Sequence, residues 1–597
     1  MTPNIVRALV KLTIRARWLA VVLAVMALLL ALPSFLPLMN GSEALRNLLL
    51  SPLSTYEIEQ LVSVDALTDE EAARMLEASM GEQSLGSDAV RVLAQNLADG
   101  GFPTYPDTAS EPGLMRVASL VTHALPHYAV LAPVLLVSAA CAARWSRGSL
   151  LAHAPVSVAE GVAGTFLAAV PLSVAALVAV AAPGFLLASL RNGLGDASYP
   201  CVFVRNGAIV SGTVGQVLAD HACLLLCSVV FVGATCTAAL FQTRRPALGI
   251  GAAVTVTLFP SVMQASGLAT SPSMPGVASF LPTTYLLIRE IAGEATYDVG
   301  SALCLPLGAS VPLGCAVLVA WAGAFLVLAV AAPALARRLH AVRQLAGREV
   351  AGEGTSDGGR IPDDAGLRVG GMTLRYGRAV PVLGGVELRL LPGEVVGFVA
   401  PNGSGKTTLL RALDSTLPGA RRTGEVSADT VPADGSTDYR SLVLYSSEDE
   451  PLLYSELSCA EHLELVEALW PGTRDASEAL ALFGADAFSG RRVSLLSQGM
   501  RQLVMLSTVY TTGVRYLMID EPTNSLDPIN VERCADALRA LAAQGVGVLI
   551  SSHLLAAVDR MCDRVLYIVE GSLVDASRDP SLAGLRAREV YRALYGV

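Results

Sequence analysis

The chain has 597 residues, of which 53% are hydrophobic and only 16% are charged, and its formal net charge is −10. Its mean hydropathy of +0.52 is too high for an ordinary soluble protein of this length, so a membrane portion is implied. Because the chain is acidic overall and has no basic stripe that could neutralise backbone phosphates, we exclude nucleic acid as a partner.

The first predicted element is an amphipathic helix over residues 1–18. The stretch NIVRALVKLTIRARW places apolar and basic residues at helical spacing. Such a helix suits the inner membrane interface, with its arginines toward anionic lipid, or it could act only as a topology anchor.

A transmembrane domain is predicted over residues 19–350. A helix needs about 20 apolar residues to cross a hydrocarbon core of about 30 Å. Six segments without Asp, Glu, Lys or Arg meet this requirement, namely Leu19 to Met39, Leu120 to Ala143, Val162 to Leu187, His221 to Phe241, Ala247 to Leu268 and Val311 to Leu335. We expect the first to stay in the protein as an anchor, since it runs the full width of a membrane.

Arginine clusters orient these spans. They precede the first span and follow the second, fourth and sixth, which predicts a multi-pass protein of the cytoplasmic membrane with both termini inside. The segment from about 40 to 116 carries 13 acidic residues and four arginines, as expected of an outer region. It could gate or receive a substrate, or form a structural cap. The ten cysteines show no C-x-x-C spacing, so neither a zinc site nor a disulfide framework is indicated. Cys201 and Cys304 both fall on the predicted outer side, where they could pair or stay apart.

A linker is predicted over 351–366, where Gly, Asp and Ser dominate and periodicity is lost. From 367 to 597 strand patterns alternate with helix patterns, as in an α/β domain. The run APNGSGKTT from Ala400 to Thr408 follows the strand-like VVGF and opens a helical pattern. This is the context of a phosphate-binding loop, although alanine stands at its first glycine position.

The loop predicts ATP and Mg²⁺ as ligands. Its backbone N–H groups and Lys406, one of two lysines in the chain, suit a polyphosphate, and the Thr407 hydroxyl suits Mg²⁺. The candidate nucleotide-binding residues of the loop are Asn402, Gly403, Ser404, Gly405, Lys406, Thr407 and Thr408.

Three further motifs follow in order, LLSQGMRQ from Leu495, RYLMIDEPTNSLDP from Arg515 and VGVLISSHLL from Val546. The apolar strand YLMID delivers Asp520 to its carboxyl end, where the carboxylate can hold Mg²⁺. Glu521 follows and can polarise the attacking water as general base, with His553 contacting the γ-phosphate.

With these motifs in this order, residues 367–597 resemble the nucleotide-binding domain of an ATP-binding cassette (ABC) transporter. The resemblance implies that Ser497 and Gly499 complete the ATP site of the opposite subunit and that Asp527 lies across the dimer interface. It also implies that Tyr376 stacks on adenine, the alternative being an ordinary strand tyrosine.

The chain departs from the family where a glutamine usually follows a strand. It reads LVLYSSEDEPLLY, which offers Glu448 or Asp449 as a possible further contact to Mg²⁺. Just beyond, the S-x-x-E pattern from Ser458 to Glu461 predicts a capping box that starts a helix of the helical subdomain.

Two looser resemblances concern the membrane portion. RGSLLAHAPVSVAEG, from Arg147 to Gly161, resembles the coupling-helix segment of six-span exporters, and FLPTTYLLIRE, from Phe280 to Glu290, resembles their short outer re-entrant segment. The alternatives are an ordinary loop and an ordinary interfacial helix.

The predicted fold is a six-span membrane α-helical bundle followed by an α/β P-loop NTPase cassette with a helical subdomain. The predicted function is ATP-driven export by a half-transporter in a lipid bilayer, working as a dimer in which a homodimer is favoured and a heterodimer is possible. The alternative is a mechanotransmitter, which moves its outer region to regulate an envelope process and translocates nothing.

Overall fold

The computed structural model describes residues 2–31, 92–93, 95–97, 99–103, 110–122, 127–145, 149–205, 208–243, 247–248, 250–252, 254–255, 279–286, 288–292, 309–348, 365–376, 381–415, 420–447, 452–524 and 526–596. The chain divides into two compact units. The cassette unit comprises Met1–Leu12, Arg144–Gly161 and Ala341–Val597, and the membrane unit comprises Thr13–Ala143 and Val162–His340.

Helices dominate the described part of residues 2–348. In chain order the elements are α1 (Thr2–Ile14), α2 (Arg17–Ala31), α3 (Gly113–Thr122), α4 (His127–Ala143), α5 (Leu150–His153), α6 (Val158–Asn192), β1 (Pro200–Arg205), β2 (Ala208–Thr213), α7 (Val214–Thr243), α8 (Pro282–Tyr285), α9 (Ile288–Ala292) and α10 (Val311–Arg348).

Among the described residues, three helices are long and apolar enough to cross a membrane, Val158–Asn192, Val214–Thr243 and Val311–Ala332. They coincide with the predicted third, fourth and sixth spans. The first two predicted spans overlap the shorter apolar helices Arg17–Leu28 and Ala132–Ala143. Most of the predicted fifth span, 247–268, and most of the outer segment lie outside the described residues. The structure therefore supports a membrane portion but does not confirm six spans.

A β-hairpin lies between α6 and α7, where the sequence analysis predicts no strand. β1 and β2 pair antiparallel from Pro200 with Thr213 to Arg205 with Ala208. Cys201 is buried within the hairpin, in a small apolar cluster that also holds Leu93, and it forms no disulfide with any cysteine among the described residues. Cys304 lies outside the described residues, so its pairing with Cys201 stays a prediction.

The remaining elements belong to the cassette unit. They are β3 (Leu367–Tyr376), β4 (Leu383–Leu390), β5 (Val395–Val399), α11 (Lys406–Leu413), β6 (Ala420–Ala428), β7 (Val431–Pro432), α12 (Thr437–Leu442), β8 (Val443–Ser447), α13 (Cys459–Leu469), α14 (Ala476–Phe483), α15 (Gln498–Thr511), β9 (Tyr516–Asp520), α16 (Pro528–Ala543), β10 (Gly547–Ser551), α17 (Leu555–Met561), β11 (Arg564–Val569), β12 (Ser572–Asp575) and α18 (Ala587–Tyr595).

Two sheets form the core of the cassette unit. One has the order β12-β11-β5-β10-β9-β8 and is parallel except for β12, and the other has the order β4-β3-β6-β7 and is antiparallel. Strands β5, β8, β9 and β10 are continuous apolar or small-residue runs in which all five residues are buried, as parallel strands covered on both faces require. Their carboxyl ends meet at one edge, where the candidate site forms.

Three helices, α13, α14 and α15, build a separate helical part around their own apolar cluster. The predicted capping box is confirmed, since the Ser458 side chain accepts from the Glu461 N–H and the Glu461 side chain accepts from the Ser458 N–H. Ser497 caps α15 in the same way, with its hydroxyl accepting from the Met500 N–H at 3.3 Å. The motif LLSQGMRQ thus leads into a helix.

Candidate nucleotide-binding and hydrolysis site

The predicted phosphate loop connects β5 to α11. Gly403 and Gly405 have φ angles of +81° and +100°, a region that favours glycine. A Cβ at Gly405 would also lie 3.1 Å from Val382 Cγ1. The loop therefore needs its glycines, and the N-terminus of α11 directs free N–H groups to where an anion would bind.

Lys406 opens α11 and folds over the loop. Its Nζ donates to the carbonyls of Ala400 at 2.6 Å and Pro401 at 3.3 Å. Burial lowers the pKa of Lys406, and the carboxylates of Glu521 and Asp520 oppose that shift. Because both carboxylates act on the Lys406 ammonium group, the phosphate loop and the carboxyl end of β9 lie at one site.

The two candidate Mg²⁺ ligands are in direct contact. Thr407 Oγ1 donates to Asp520 Oδ2 at 2.7 Å, although 113 residues separate them. Asp520 is only 8% exposed, and it also accepts from the hydroxyls of Ser551 and Tyr445. A hydroxyl and a carboxylate are oxygen ligands of the kind that Mg²⁺ takes in proteins, so Thr407 and Asp520 would hold the ion. The donor set therefore fits the predicted ion.

Glu521 and His553 form a second pair. His553 Nδ1 lies 2.8 Å from Glu521 Oε2, and the His553 N–H donates to the same oxygen at 3.2 Å. Glu521 has a φ of +55°, which costs a non-glycine residue about 1–3 kcal/mol. Its N–H donates to Ser551 Oγ at 3.1 Å, which helps to hold this conformation. The partly exposed carboxylate is thus fixed beside Asp520, where it can reach a water molecule.

The remaining predicted ligands lie apart from this cluster. Tyr376 ends β3 and is 41% exposed, so its ring is accessible. Asp527 caps α16 by accepting from the Asn530 N–H at 2.9 Å. Among the described residues, no hydrogen bond or ion pair joins Ser497 or Asp527 to the phosphate loop. Their roles toward a partner subunit, like that of Gly499, stay predictions.

Two predicted candidates cannot be located. Glu448 and Asp449 lie outside the described residues, between the end of β8 and residue 452. Sequence reasoning in turn missed Tyr445 and Ser551, the hydroxyl donors to Asp520. Both lie in strands next to β9, and pairing of these parallel strands could have suggested them.

The segment 149–156, part of the predicted coupling helix, packs against the rest of the cassette unit. Ser149 bridges to Leu452, and Tyr454 Oη accepts from the Leu151 N–H at 3.2 Å. Next to it, Arg144 donates to Glu456 Oε1 at 2.9 Å. Burial raises the pKa of Glu456 but its bonds with Arg144 lower it more, so the carboxylate is ionised at neutral pH. These contacts lie directly after the undescribed 448–451.

Helix α1 also has contacts within the cassette unit. Its apolar residues Ile5, Leu9 and Leu12 are fully buried rather than exposed to lipid. Lys11 Nζ lies 2.9 Å from Glu461 Oε1 at the start of α13, and 3.7 Å from Glu464. The interfacial helix expected from the sequence is therefore ion-paired to the helical part of the cassette.

Comparisons with known proteins identify the family of the cassette. A family profile described as ABC transporter matches residues 383–524. A fluoroquinolones export ATP-binding protein of Mycobacterium tuberculosis is 31% identical over 232 residues, which are 38% of this chain and 76% of that protein. A lantibiotic transport ATP-binding protein of Streptococcus pyogenes is 26% identical over 211 residues, 35% of this chain and 89% of that protein.

Among solved structures, the ATP-binding subunit of an ABC transporter is 28% identical with a TM-score of 0.35, covering 38% of this chain and 99% of that one. The predicted resemblance of residues 367–597 is confirmed as to family by the mycobacterial relative, and ATP hydrolysis coupled to transport follows from it. The chain belongs to the ABC transporter family and carries its ATP-binding cassette.

Proposed function

We propose that this chain is a half-transporter that exports a substrate across the cytoplasmic membrane and works as a dimer. The observation that carries the proposal is the union, in one chain, of candidate membrane spans and a cassette to which segment 149–156 is hydrogen-bonded. The outward direction is supported by the mycobacterial relative, whose name specifies export. A homodimer is favoured because Glu521, His553 and Ser497 are all retained, and a related chain could also serve.

Binding of ATP is assigned to the loop between β5 and α11. Its N–H groups, the α11 N-terminus and Lys406 bind the phosphates, and Tyr376 stacks on the adenine. Thr407 and Asp520 would hold Mg²⁺, which neutralises phosphate charge when bound. Ser497, Gly499 and Asp527 act on the nucleotide of the partner subunit, so both sites form only when two cassettes close.

Hydrolysis is assigned to Glu521. Its carboxylate takes a proton from water while the water oxygen bonds to the γ-phosphorus and the bond to the β–γ bridging oxygen breaks, which releases ADP and phosphate. His553, kept in place by Glu521, donates a hydrogen bond to the γ-phosphate. Closure and reopening of the cassettes move segment 149–156, and the predicted six spans follow this movement.

The direction of transport can be tested with inside-out membrane vesicles, which expose the cassettes to added ATP. We expect ATP-dependent accumulation of a fluorescent fluoroquinolone in vesicles with the wild-type chain and none with Glu521→Gln. ATP-dependent loss of preloaded compound from the same vesicles would contradict export and indicate import.

The mechanotransmitter stays a second candidate because the described residues include a packed cluster around β1, β2 and Leu93, on the side that the sequence predicts to be outer. A force-transmitting ATPase needs such a folded region outside the membrane. It would hydrolyse ATP in the vesicles and move none of a panel of amphipathic compounds and lipids, whereas an exporter would accumulate at least one.

A further inference from the structure

A buried contact between a histidine and an aspartate lies within the cassette unit, apart from the nucleotide residues. His153 Nε2 is 3.4 Å from Asp414 Oδ2, and the two side chains are 4% and 3% exposed. His153 ends α5, and Asp414 caps the C-terminus of α11, the helix that begins with Lys406. The pair therefore connects segment 149–156 to the helix that would hold the phosphates.

Asp414 occupies a position that is unfavourable for a lone carboxylate. A carboxylate at the C-terminus of a helix faces the negative end of the helix dipole, and burial removes the water that would otherwise solvate it. His153 Nδ1 lies 3.0 Å from the Ser149 carbonyl, which can only accept a hydrogen bond. The Nδ1 proton is thus committed to Ser149, and Nε2 is the nitrogen directed at Asp414. One proton, on either Nε2 or the facing carboxyl oxygen, makes the contact between the two side chains favourable.

The surrounding contacts make this a direct mechanical connection. Helix α11 has eight residues, so its two ends are about 12 Å apart and move as one body. On the other side of the pair, Arg440 Nη1 donates to the Ala154 carbonyl at 3.3 Å. Segment 149–156 therefore contacts Leu452 and Tyr454, Arg440 on α12, and Asp414 at the end of α11.

We propose that His153 and Asp414 are positioning residues through which the phosphate-loop helix controls segment 149–156. This proposal rests on the proposed function, since it needs a cassette that drives a membrane domain. ATP binding at the start of α11 shifts the helix, and the buried pair passes this shift to α5. Neither residue touches nucleotide, so the pair sets the coupling rather than the chemistry.

The test uses the full chain in lipid nanodiscs, in a Glu521→Gln background that retains bound ATP. Hydrogen exchange of the 149–156 amides is compared with and without ATP for His153→Asn, Asp414→Asn and the swapped pair His153→Asp with Asp414→His. Asp438→Asn, an exposed change on α12, is the matched control. The Kd for ATP is measured on the same samples.

We expect ATP to change exchange at 149–156 by about 5- to 150-fold when the pair is intact, the usual range for coupled sites. Each single variant should lose this response with its Kd for ATP changed less than about twofold, and the swapped pair should regain it. Loss of the ATP response with the Kd for ATP retained is the result that a purely structural role at the nucleotide site would not produce, and restoration by the swap assigns that loss to the contact between the two side chains.

Single variants that keep the full response, or a swapped pair that stays unresponsive like them, would overturn the proposal. Loss of ATP binding together with the response would overturn it as well, because the pair would then serve the site itself. If the chain with Glu521 intact hydrolyses no ATP, the proposed function fails instead. The two failures are therefore distinct.

Discussion

Removing the Tyr454 hydroxyl should loosen segment 149–156 without touching the nucleotide site. This hydroxyl accepts from the Leu151 N–H at 3.2 Å and donates to the Arg144 carbonyl at 3.1 Å. After Tyr454→Phe the Arg144 carbonyl still accepts from Ser149 Oγ at 2.9 Å. The cost therefore falls mainly on the buried Leu151 N–H, and leaving such a donor unpaired costs about 1–3 kcal/mol.

We expect hydrogen exchange of the 150–154 amides to accelerate by about 5- to 150-fold, since about 1.4 kcal/mol corresponds to a factor of ten. The assay is exchange with mass spectrometry on the full chain in nanodiscs. The control is Tyr595→Phe, which removes a hydroxyl that donates to the Ile568 carbonyl at 2.7 Å. Unchanged exchange at 150–154, or the same acceleration there in the control, would refute the reasoning.

Three other predictions concern the cassette. Glu521→Gln should lower kcat for phosphate release by at least about 100-fold and preserve ATP binding, because a general base contributes about 10²–10⁴-fold. Tyr376→Ala should raise the Kd for ATP by about tenfold, the loss of one stacked base, with kcat at saturating ATP unchanged. Burial lowers the pKa of His462 from 6.5 to about 4. The unfolded chain therefore takes up this proton first as pH falls, so stability is full above about pH 6.5 and is lost toward pH 4. Thermal unfolding should show a loss of about 2 kcal/mol between pH 7 and pH 5 that His462→Gln largely removes.

Matched variants make these outcomes decisive. Glu532→Gln, an exposed change on α16, should leave kcat unaltered, and hydrolysis retained by Glu521→Gln would assign the base elsewhere. Tyr376→Phe keeps the ring and should keep the affinity for ATP. An unchanged Kd in Tyr376→Ala would mean that Tyr376 does not stack on adenine and is an ordinary strand tyrosine. An equal pH-dependent loss in wild type and His462→Gln would remove His462 as the cause.

The core of the cassette was predictable because its signals are local. The short apolar run at 516–519 predicts a buried strand, and this strand delivers Asp520 to the edge where the phosphate loop begins. Gly405 marks the loop, since its backbone has a φ of +100°. Hence the contact between Thr407 and Asp520 follows from two motifs read together.

Other features depend on contacts between distant segments and have no local signal. Nothing around Tyr454 distinguishes it from a core tyrosine until Leu151, 303 residues away, donates to it. From the N-terminal sequence alone, Lys11 is predicted to face the membrane surface, because nothing in that sequence indicates its partner Glu461. Strand β1 was missed because it is short and adjoins apolar spans, where periodicity no longer separates strand from helix.

The central claim is that one kind of chain forms a self-sufficient dimeric ATPase in the membrane. The most direct measurement is ATP hydrolysis by the chain purified alone in lipid nanodiscs, with the mass of the assembly determined on the same sample and Glu521→Gln as control. We predict a dimer that hydrolyses ATP and loses this activity in the variant. A silent monomer would contradict the claim and assign the second half of each ATP site to a different chain.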